Sequence, residues 1–194
     1  MKYETLTLGS YQTHTYIVSG EAGRCVIIDP GFEPETILDY VNHKGLTVEA
    51  ILLTHGHFDH VGGVKLIAAE TDCKVYVCEK ELSLPPRLTG GPLYYTDLYG
   101  EGDRLSLAGL SLRVLQTPGH TPGSVCLECE NVLFSGDTLF AGCCGRTDLP
   151  GGNWSEMTAS LKRLETLETD YTVCPGHGEF STLFVEKRYN PYMR

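Results

Sequence analysis

The chain has 194 residues, of which 41% are apolar and 21% charged, and this suits one domain over residues 1–194 with a full hydrophobic core. The net charge of −10 disfavours nucleic acid as a partner, because binding a phosphate backbone needs clustered Lys and Arg. We expect no leader sequence and no membrane span, since no basic segment precedes a long apolar run. Eight cysteines without an export signal favour free thiols in a reducing cytoplasm.

The first third of the chain predicts an antiparallel start. Three short runs of alternating or β-branched residues predict strands there, at residues 2–8, 14–19 and 24–29. Turn signals separate them, the second at residues 20–23. Pro34 suits the first turn of a helix over residues 33–43, and Gly45 suits its C-terminal end. The apolar residues 48–53 then predict a buried strand.

The middle of the chain is less regular. A helix is predicted at residues 64–69 and a strand at residues 74–78. Residues 81–102 carry repeated Pro and Gly, and a loop of that length in a compact domain is usually functional, such as a lid or binding edge. Tyr94 and Tyr95 are therefore candidates to contact a substrate. The alternative is that they only anchor the loop to the core.

The second half predicts more strands and two helices. The strands are at residues 104–107, 110–116, 125–130, 132–134 and 171–174. Asn153, with Glu156 three residues later, predicts the start of a helix whose buried stripe includes Met157 and Leu161. A closing helix is expected over residues 182–189. These elements indicate the α/β class, although the pattern alone allows more than one arrangement.

Some polar residues and thiols are assigned structural roles. Cys126 and Cys129 lie three apart in a predicted strand, so they face opposite sides and are expected to pack. His43 on the first helix is expected at the surface. His14 is expected to be a structural histidine, with a hydrogen bond near the functional site as the alternative.

The most informative segment follows the strand at residues 48–53. Residues 54–60 place three imidazoles and a carboxylate together, at His55, His57, Asp59 and His60. Neutral imidazoles and carboxylates suit zinc, iron or manganese. Residues two apart in an extended loop point the same way, so His55 and His57 can chelate one ion, and Asp59 and His60 can turn toward a second.

This His-x-His-x-Asp-His segment resembles the signature of the metallo-β-lactamase superfamily. Three further motifs resemble that family in its order: His120 in Thr-Pro-Gly-His-Thr-Pro-Gly-Ser, Asp137 in Phe-Ser-Gly-Asp-Thr-Leu-Phe, and His177 in Cys-Pro-Gly-His-Gly. The resemblance covers most of the chain. It implies a four-layer αββα sandwich, in which two mixed sheets pack together with helices outside.

Carried onto this sequence, the resemblance implies a metal ligand set of seven residues. One metal would be held by His55, His57 and His120, the other by Asp59, His60 and His177, and Asp137 would bridge them. The implied cofactor is a pair of divalent ions, zinc first, with iron or manganese as alternatives. A bridging hydroxide would be the nucleophile, and Asp59 would be the catalytic residue that orients it and takes up its proton. Thr54, Thr117 and Thr121 are candidates to orient the imidazoles.

The substrate must be inferred from other segments. Residues 142–152 and the C-terminal part of the chain resemble the short bacterial glyoxalase II proteins, which hydrolyse thioesters such as S-lactoylglutathione. The resemblance implies a small-molecule 2-hydroxyacyl thioester as the partner. The helical segment that contacts glutathione in longer relatives has no counterpart before Arg194, so the sequence does not identify the thiol part of the substrate. The oligomeric state is also left undetermined. Arg146 could hold a substrate carboxylate, or form a structural ion pair with Asp148 or with a neighbouring loop.

Other reactions remain as alternatives. Persulfide dioxygenases share similar motifs and use one iron, which His55, His120 and Asp137 would hold here. Lactonase, phosphodiesterase and non-enzymatic metal-binding roles are further alternatives. A β-lactamase is disfavoured, because the segments that resemble glyoxalase II are foreign to that group.

Overall fold

The computed structural model describes residues 1–20 and 23–194. The turn predicted at residues 20–23 includes residues 21 and 22, which lie outside the described residues. Within the described part, the chain forms two six-stranded sheets and a separate two-stranded hairpin. No helix in this part is both long and apolar enough to cross a membrane.

The first sheet contains strands β1 to β6 in sequence order. Strands β1, β2 and β3 pair antiparallel, and β3 to β6 pair parallel. The elements of this half are β1 Lys2–Leu8, β2 Thr13–Ser19, β3 Arg24–Ile28, α1 Pro34–His43, β4 Thr47–Leu52, α2 Phe58–Val61, α3 Val64–Thr71, β5 Lys74–Cys78, a 3-10 helix Glu79–Ser83, α4 Pro86–Thr89 and β6 Asp97–Tyr99.

The second sheet has the strand order β14-β13-β10-β9-β8-β7, and only β10 and β13 pair parallel. Its elements are β7 Arg104–Leu107, β8 Leu110–Gln116, β9 Val125–Cys129, β10 Val132–Gly136, β13 Thr172–Pro175 and β14 Ser181–Thr182. The hairpin consists of β11 Leu139–Phe140 and β12 Cys143–Cys144. The helices of this half are α5 Trp154–Glu165 and α6 Leu183–Tyr189.

Alternation along the strands explains how the layers stack. Val26 and Ile28 of β3 point into the core between the two sheets, where they join Leu112 of β8. The intervening Ile27 belongs to a second core cluster with Ile37 of α1, on the outer face of the first sheet. A third cluster joins the outer face of the second sheet to α5. Two buried faces per strand favour nearly continuous apolar runs. The expected four-layer αββα sandwich is confirmed.

The structure agrees with most predicted elements and corrects one region. Residues 81–102, predicted to be irregular, include the end of the 3-10 helix, α4 and β6. These elements have three to five residues each, too few for a periodic pattern. The predicted cap of α5 is present, because the Asn153 side chain accepts hydrogen bonds from the backbone N–H groups of Ser155 and Glu156. Cys126 and Cys129 pack into different core clusters, as their spacing predicts.

Candidate metal centre

The seven predicted ligands come together where strands of both sheets end. His55 and His57 lie between β4 and α2, and Asp59 and His60 lie in the first turn of α2. The other three lie in loops of the second sheet: His120 between β8 and β9, Asp137 after β10, and His177 after β13. Each ligand segment therefore starts from a fixed strand end, which limits its freedom.

The first group of donors contains only histidines. His55, His57 and His120 each offer a ligand atom, and these atoms lie within 4.8 Å of one another. His57 Nδ1 and His120 Nε2 face each other at 2.9 Å. All three residues are buried. This group is called the three-histidine subsite below.

The second group mixes a carboxylate with two histidines. Asp59, His60 and His177 also offer ligand atoms within 4.8 Å of one another. Nε2 of His60 lies 3.2 Å from Nε2 of His177, which lies 3.3 Å from Oδ2 of Asp59. This group is called the aspartate subsite.

Asp137 lies between the two subsites. Its Oδ1 is 3.5 Å from His60 Nε2, and its Oδ2 is 3.5 Å from His120 Nε2 and 3.7 Å from His177 Nε2. One carboxylate therefore faces a histidine of the three-histidine subsite and two of the aspartate subsite. That position suits a ligand shared by two cations.

The donor atoms suit metal ions, because some of them are buried without a hydrogen-bond partner. His55 Nε2 and Asp137 Oδ1 are buried and have no hydrogen-bond partner within the described residues. Buried polar atoms without partners are costly and call for an explanation such as a bound ion. Imidazole nitrogens with carboxylate oxygens match the preferences of zinc, iron and manganese.

Burial and charge set the protonation of these groups. Burial lowers the pKa of His55 well below its usual value and that of His57 to about 4, so both stay neutral. Burial also favours neutral His60, but the carboxylates of Asp137 and Asp29 outweigh it and raise the pKa of His60 to about 9. Burial opposes ionisation of Asp59, yet the nearby histidines lower its pKa to about 2.

Asp29 is a member of the site that the sequence did not predict. Its buried carboxylate accepts hydrogen bonds from the backbone N–H of Thr54 at 2.7 Å and from the Thr54 hydroxyl at 2.5 Å. It also lies 3.0 Å from His60 Nδ1, and so fixes that ring with Nε2 toward the aspartate subsite. The position of Asp29 at the end of a strand could have indicated a role in the site, since β3 pairs parallel with β4. Carboxyl ends of adjacent parallel strands share one sheet edge.

Backbone carbonyls orient two further imidazoles. Nδ1 of His177 lies 3.0 Å from the carbonyl oxygen of Tyr11, and Nδ1 of His120 lies 2.7 Å from that of Arg146. In both rings Nε2 is thereby directed toward the centre. Such outer contacts set the tautomer and increase the basicity of a metal-binding histidine.

The three predicted threonines differ in their contacts. The Thr54 hydroxyl lies 3.1 Å from His55 Nδ1, as expected for a residue that orients the ring. Thr117 instead bonds to the Thr138 hydroxyl, and Thr121 bonds to Ser124. Within the described residues, neither Thr117 nor Thr121 has a hydrogen bond to an imidazole.

The predicted substrate-binding residues are exposed, and the Arg146 side chain is engaged by another residue. Arg146 makes two hydrogen bonds to the Asp148 carboxylate, at 2.7 and 2.8 Å, and both side chains are exposed. Tyr94 and Tyr95 are 41% and 40% exposed, so neither is a core anchor. Tyr94 lines a cavity of about 390 Å³ together with Phe58, next to Asp59 in the chain.

A smaller cavity borders the aspartate subsite directly. It has a volume of about 350 Å³ and is lined by residues 140–141 and 177–179. Phe140 in this wall packs edge-on to His177, with ring centroids 6.4 Å apart. Tyr11, whose carbonyl contacts His177, packs edge-on to Phe58 of the larger cavity, with ring centroids 5.1 Å apart. Open space and aromatic walls beside the metal donors suit a small amphipathic substrate.

The remaining histidines have structural positions. Buried His14 lies 3.1 Å from the Pro175 carbonyl oxygen and stacks on Phe180, with ring centroids 5.5 Å apart. His43 is exposed at the end of α1. The placement of His43 agrees with the prediction from sequence. His14 makes the hydrogen bond near the functional site that was its alternative, because Pro175 lies two residues before His177.

Known proteins resemble this chain over nearly its whole length. The family model for the metallo-beta-lactamase superfamily matches residues 8–177. Hydroxyacylglutathione hydrolase GloC of Haemophilus influenzae is 33% identical, over 100% of this chain and 98% of that protein. The crystal structure of BLEG-1 B3 metallo-beta-lactamase has 36% identity and a TM-score of 0.91, over 99% of both chains. TTHA1623 in a di-iron-bound form has 41% identity and a TM-score of 0.85, over 97% of this chain and 99% of that one.

Proposed function

The chain belongs to the metallo-beta-lactamase superfamily, and we propose that it is a metal-dependent thioester hydrolase of the glyoxalase II type. The proposed substrate is S-lactoylglutathione or a related 2-hydroxyacyl thioester. One observation carries the proposal: two complete donor groups lie side by side with Asp137 between them. A shared carboxylate between two cation sites is the arrangement used for hydrolysis by two metals.

Two further observations support the choice of substrate. The chain is 33% identical over its full length to a relative named hydroxyacylglutathione hydrolase GloC. Residues 142–152 resemble the corresponding segment of short glyoxalase II proteins, and they surround the Arg146 carbonyl that orients His120. The partner is therefore proposed to be a small thioester, and not a nucleic acid or a membrane. We also propose a cytoplasmic location, supported by the many cysteines that pack as thiols in the cores.

The residues of each subsite are proposed to hold one divalent ion, with Asp137 as the shared ligand. Zinc is the first choice and iron or manganese the alternatives, and the di-iron form of TTHA1623 supports a pair of metals. When bound, such ions act as Lewis acids and lower the pKa of water to near neutrality.

The chain's own residues orient the reactants. Asp59 is proposed to accept a hydrogen bond from the attacking water, to aim it at the thioester carbonyl and to take up its proton. The pKa of about 2 keeps Asp59 ionised at neutral pH, and this favours orientation over prolonged storage of the proton. A thiolate is a good leaving group, so the reaction needs no strong general acid.

Substrate contacts by Arg146, Tyr94 and Tyr95 are part of the proposal. Arg146 would have to release Asp148 to bind a substrate carboxylate. Because both side chains of that pair are exposed, water screens their charges and exchange for another carboxylate costs little. The exposed Tyr94 and Tyr95 could cover the substrate from the neighbouring loop.

β-Lactam hydrolysis is the second candidate, because the fold closely matches that of BLEG-1 B3 metallo-beta-lactamase. The same donors could serve either reaction, so only the substrate distinguishes them. Persulfide dioxygenase activity with one iron on His55, His120 and Asp137 is the third. The C-terminal part of the chain, which resembles that of short glyoxalase II proteins, favours hydrolysis over it.

The test compares substrates on the purified full chain, loaded separately with zinc, iron and manganese. Hydrolysis of S-lactoylglutathione, followed as loss of thioester absorbance, is expected at about 1 per second or faster. Asp59→Asn should reduce kcat strongly, because the amide presents a donor where the carboxylate accepted. Faster turnover of a chromogenic cephalosporin, or oxygen uptake with glutathione persulfide by the single-iron form, would replace the thioesterase proposal.

A further inference from the structure

Glu81 is a fully buried carboxylate close to the three-histidine subsite. It lies in the 3-10 helix after β5, and its exposed fraction is 0%. Its Oε2 accepts a hydrogen bond from the backbone N–H of Gly56 at 2.5 Å. Its Oε1 accepts one from the backbone N–H of Gly123 at 2.6 Å. Within the described residues, Glu81 forms no ion pair.

The two backbone donors belong to the two loops that build the three-histidine subsite. Gly56 lies between His55 and His57, and Gly123 lies three residues after His120. One carboxylate therefore joins a loop of the first sheet to a loop of the second. A buried charge without a counter-ion is costly, and it persists when the hydrogen bonds to it are well made.

The local packing shows that these contacts are close. A Cβ at Gly123 would come within 2.8 Å of Glu81 Oε1, and one at Gly56 within 3.1 Å of Oε2. Both loops can approach the carboxylate so closely because neither glycine has a side chain. Burial raises the pKa of Glu81, while the hydrogen bonds from Thr121 and from Gly56 and Gly123 oppose that rise.

The aspartate subsite is supported by different groups. Asp29 orients His60, and the Tyr11 carbonyl orients His177. Within the described residues, Glu81 has no hydrogen bond to Asp59, His60 or His177 themselves, although Gly56 lies in the same segment as Asp59. Thr54 connects the two supports, because it donates to Asp29 and its hydroxyl lies 3.1 Å from His55 Nδ1. Glu81 takes no part in that connection, and its hydrogen bonds act directly on the two loops of the three-histidine subsite.

We propose that Glu81 is a positioning residue, which sets the distance between the His55–His57 loop and the His120 loop and thereby the metal affinity of the three-histidine subsite. It touches neither substrate nor metal. The inference rests on the metal-binding part of the proposed function and is independent of which substrate is hydrolysed.

Glu81→Gln is the informative variant because it keeps the size of the side chain. Its amide oxygen can still accept from one loop, but its NH₂ group faces the backbone N–H of the other. The backbone N–H of that loop then loses its acceptor, and repulsion between the two donor groups displaces the loop. Glu81→Ala would leave both N–H groups buried without partners and could prevent folding.

The experiment measures zinc affinity of metal-free full-length protein by titration against a competing chelator, without any assay of activity. Each subsite is isolated in its own background: His177→Ala leaves the three-histidine subsite complete, and His120→Ala leaves the aspartate subsite complete. Glu81→Gln is expected to weaken zinc binding about tenfold or more in the His177→Ala background, the size usual for loss of an outer contact. In the His120→Ala background the change should stay below about twofold.

Glu186→Gln is the matched control in both backgrounds. Glu186 is also buried, and it accepts a hydrogen bond from the backbone N–H of Gly142 at 2.8 Å. Among the described residues, its carboxylate has hydrogen bonds to Gly142, Ser181 and Asn190 and none to either loop of the three-histidine subsite. This variant should lower stability without the selective loss of zinc affinity.

Three outcomes would overturn the inference. Unchanged affinity in the His177→Ala background would show that Glu81 does not position the loops. Equal weakening in both backgrounds, or the same weakening with Glu186→Gln, would show a general effect on stability. Absence of thioester turnover would count against the proposed substrate and would leave this result intact, because the titration does not depend on turnover.

Discussion

Asp137 lies between the two subsites and is proposed as their shared ligand. Its two oxygens face His60 and His120 at 3.5 Å each. Loss of an outer contact costs about 10–100-fold in activity or metal affinity, so Asp137→Ala should reduce kcat by at least about 100-fold and weaken both metals. Steady-state kinetics and metal analysis of the purified variant would check this.

Asp39→Asn is the control for Asp137, since Asp39 is an exposed carboxylate on the outer helix α1. It should keep the metal content and the turnover of the unmodified chain. If Asp137→Ala also retained two metals and full turnover, Asp137 would not be the shared ligand.

Gly176 shows how closely the backbone approaches the centre. A Cβ at this position would overlap Asp137 Oδ1 and come within 2.7 Å of His60 Cε1. Gly176→Ala should therefore displace both ligands, lowering the metal content and the melting temperature. Metal analysis and thermal unfolding would measure the two effects.

Gly100→Ala provides the comparison, because the nearest atom to a Cβ there is 3.8 Å away and is the end of a flexible Gln116 side chain. That variant should change neither quantity appreciably. A Gly176→Ala protein with normal metal content would mean that the loop has more room than the structure shows.

At the scale of elements, α6 holds the hairpin β11–β12 against the site. The Asn190 side-chain amide donates to the Cys143 carbonyl at 2.9 Å and to Glu186 at 2.8 Å. Glu186 in turn accepts from the Gly142 backbone. The hairpin includes Phe140, which packs edge-on to His177. The C-terminal helix therefore shapes one wall of the cavity that borders the aspartate subsite.

Asn190→Ala should loosen that wall without removing a ligand. Loss of these hydrogen bonds should lower the free energy of unfolding by about 1–3 kcal/mol, at about 1 kcal/mol for each bond. Hydrogen exchange at residues 140–144 should become faster and KM should rise, while metal content stays the same. Asn131→Ala, at an exposed turn before β10, is the control. Unchanged exchange at the hairpin would contradict this role of α6.

The long strands and helices could be predicted from the sequence because burial leaves a repeating pattern. Strands β1, β5, β7 and β8 have the predicted bounds, and α1 ends just before the predicted Gly45. The hairpin β11–β12 and strand β14 could not be predicted, since strands of two residues have no period. Their existence depends on partners distant in the chain.

The candidate site was predictable to a different degree for different residues. The seven donors stand in short motifs after strands, so their types and order were visible, and the structure brings them together. Asp29 lies at the end of a predicted strand, and Glu81 lies at the start of a segment predicted to be irregular. Their roles arise only when the loops pack, because each binds backbone groups distant in sequence.

At the scale of the whole molecule, the centre connects the two sheets. The segment after β4 in the first sheet supplies His55 and His57, and the second sheet supplies His120, Asp137 and His177. The sheets also share the central core cluster. Bound metal is therefore expected to act as a cross-link between sheets that the core already holds together.

Removing the metals should lower stability measurably. A ligand that binds only the folded state at about 1,000 times its Kd stabilises by about 4 kcal/mol. For a chain of this size each kcal/mol corresponds to about 2–4 °C, so chelation should lower the melting temperature by about 8–16 °C. Thermal unfolding before chelation, after it and after return of zinc would check this. In the His57→Ala/His177→Ala variant the chelator should have little effect, because both subsites have lost a ligand. An equal fall in that variant would show that the chelator acts elsewhere, whereas an unchanged melting temperature in the unmodified chain would mean that the core alone holds the two sheets together.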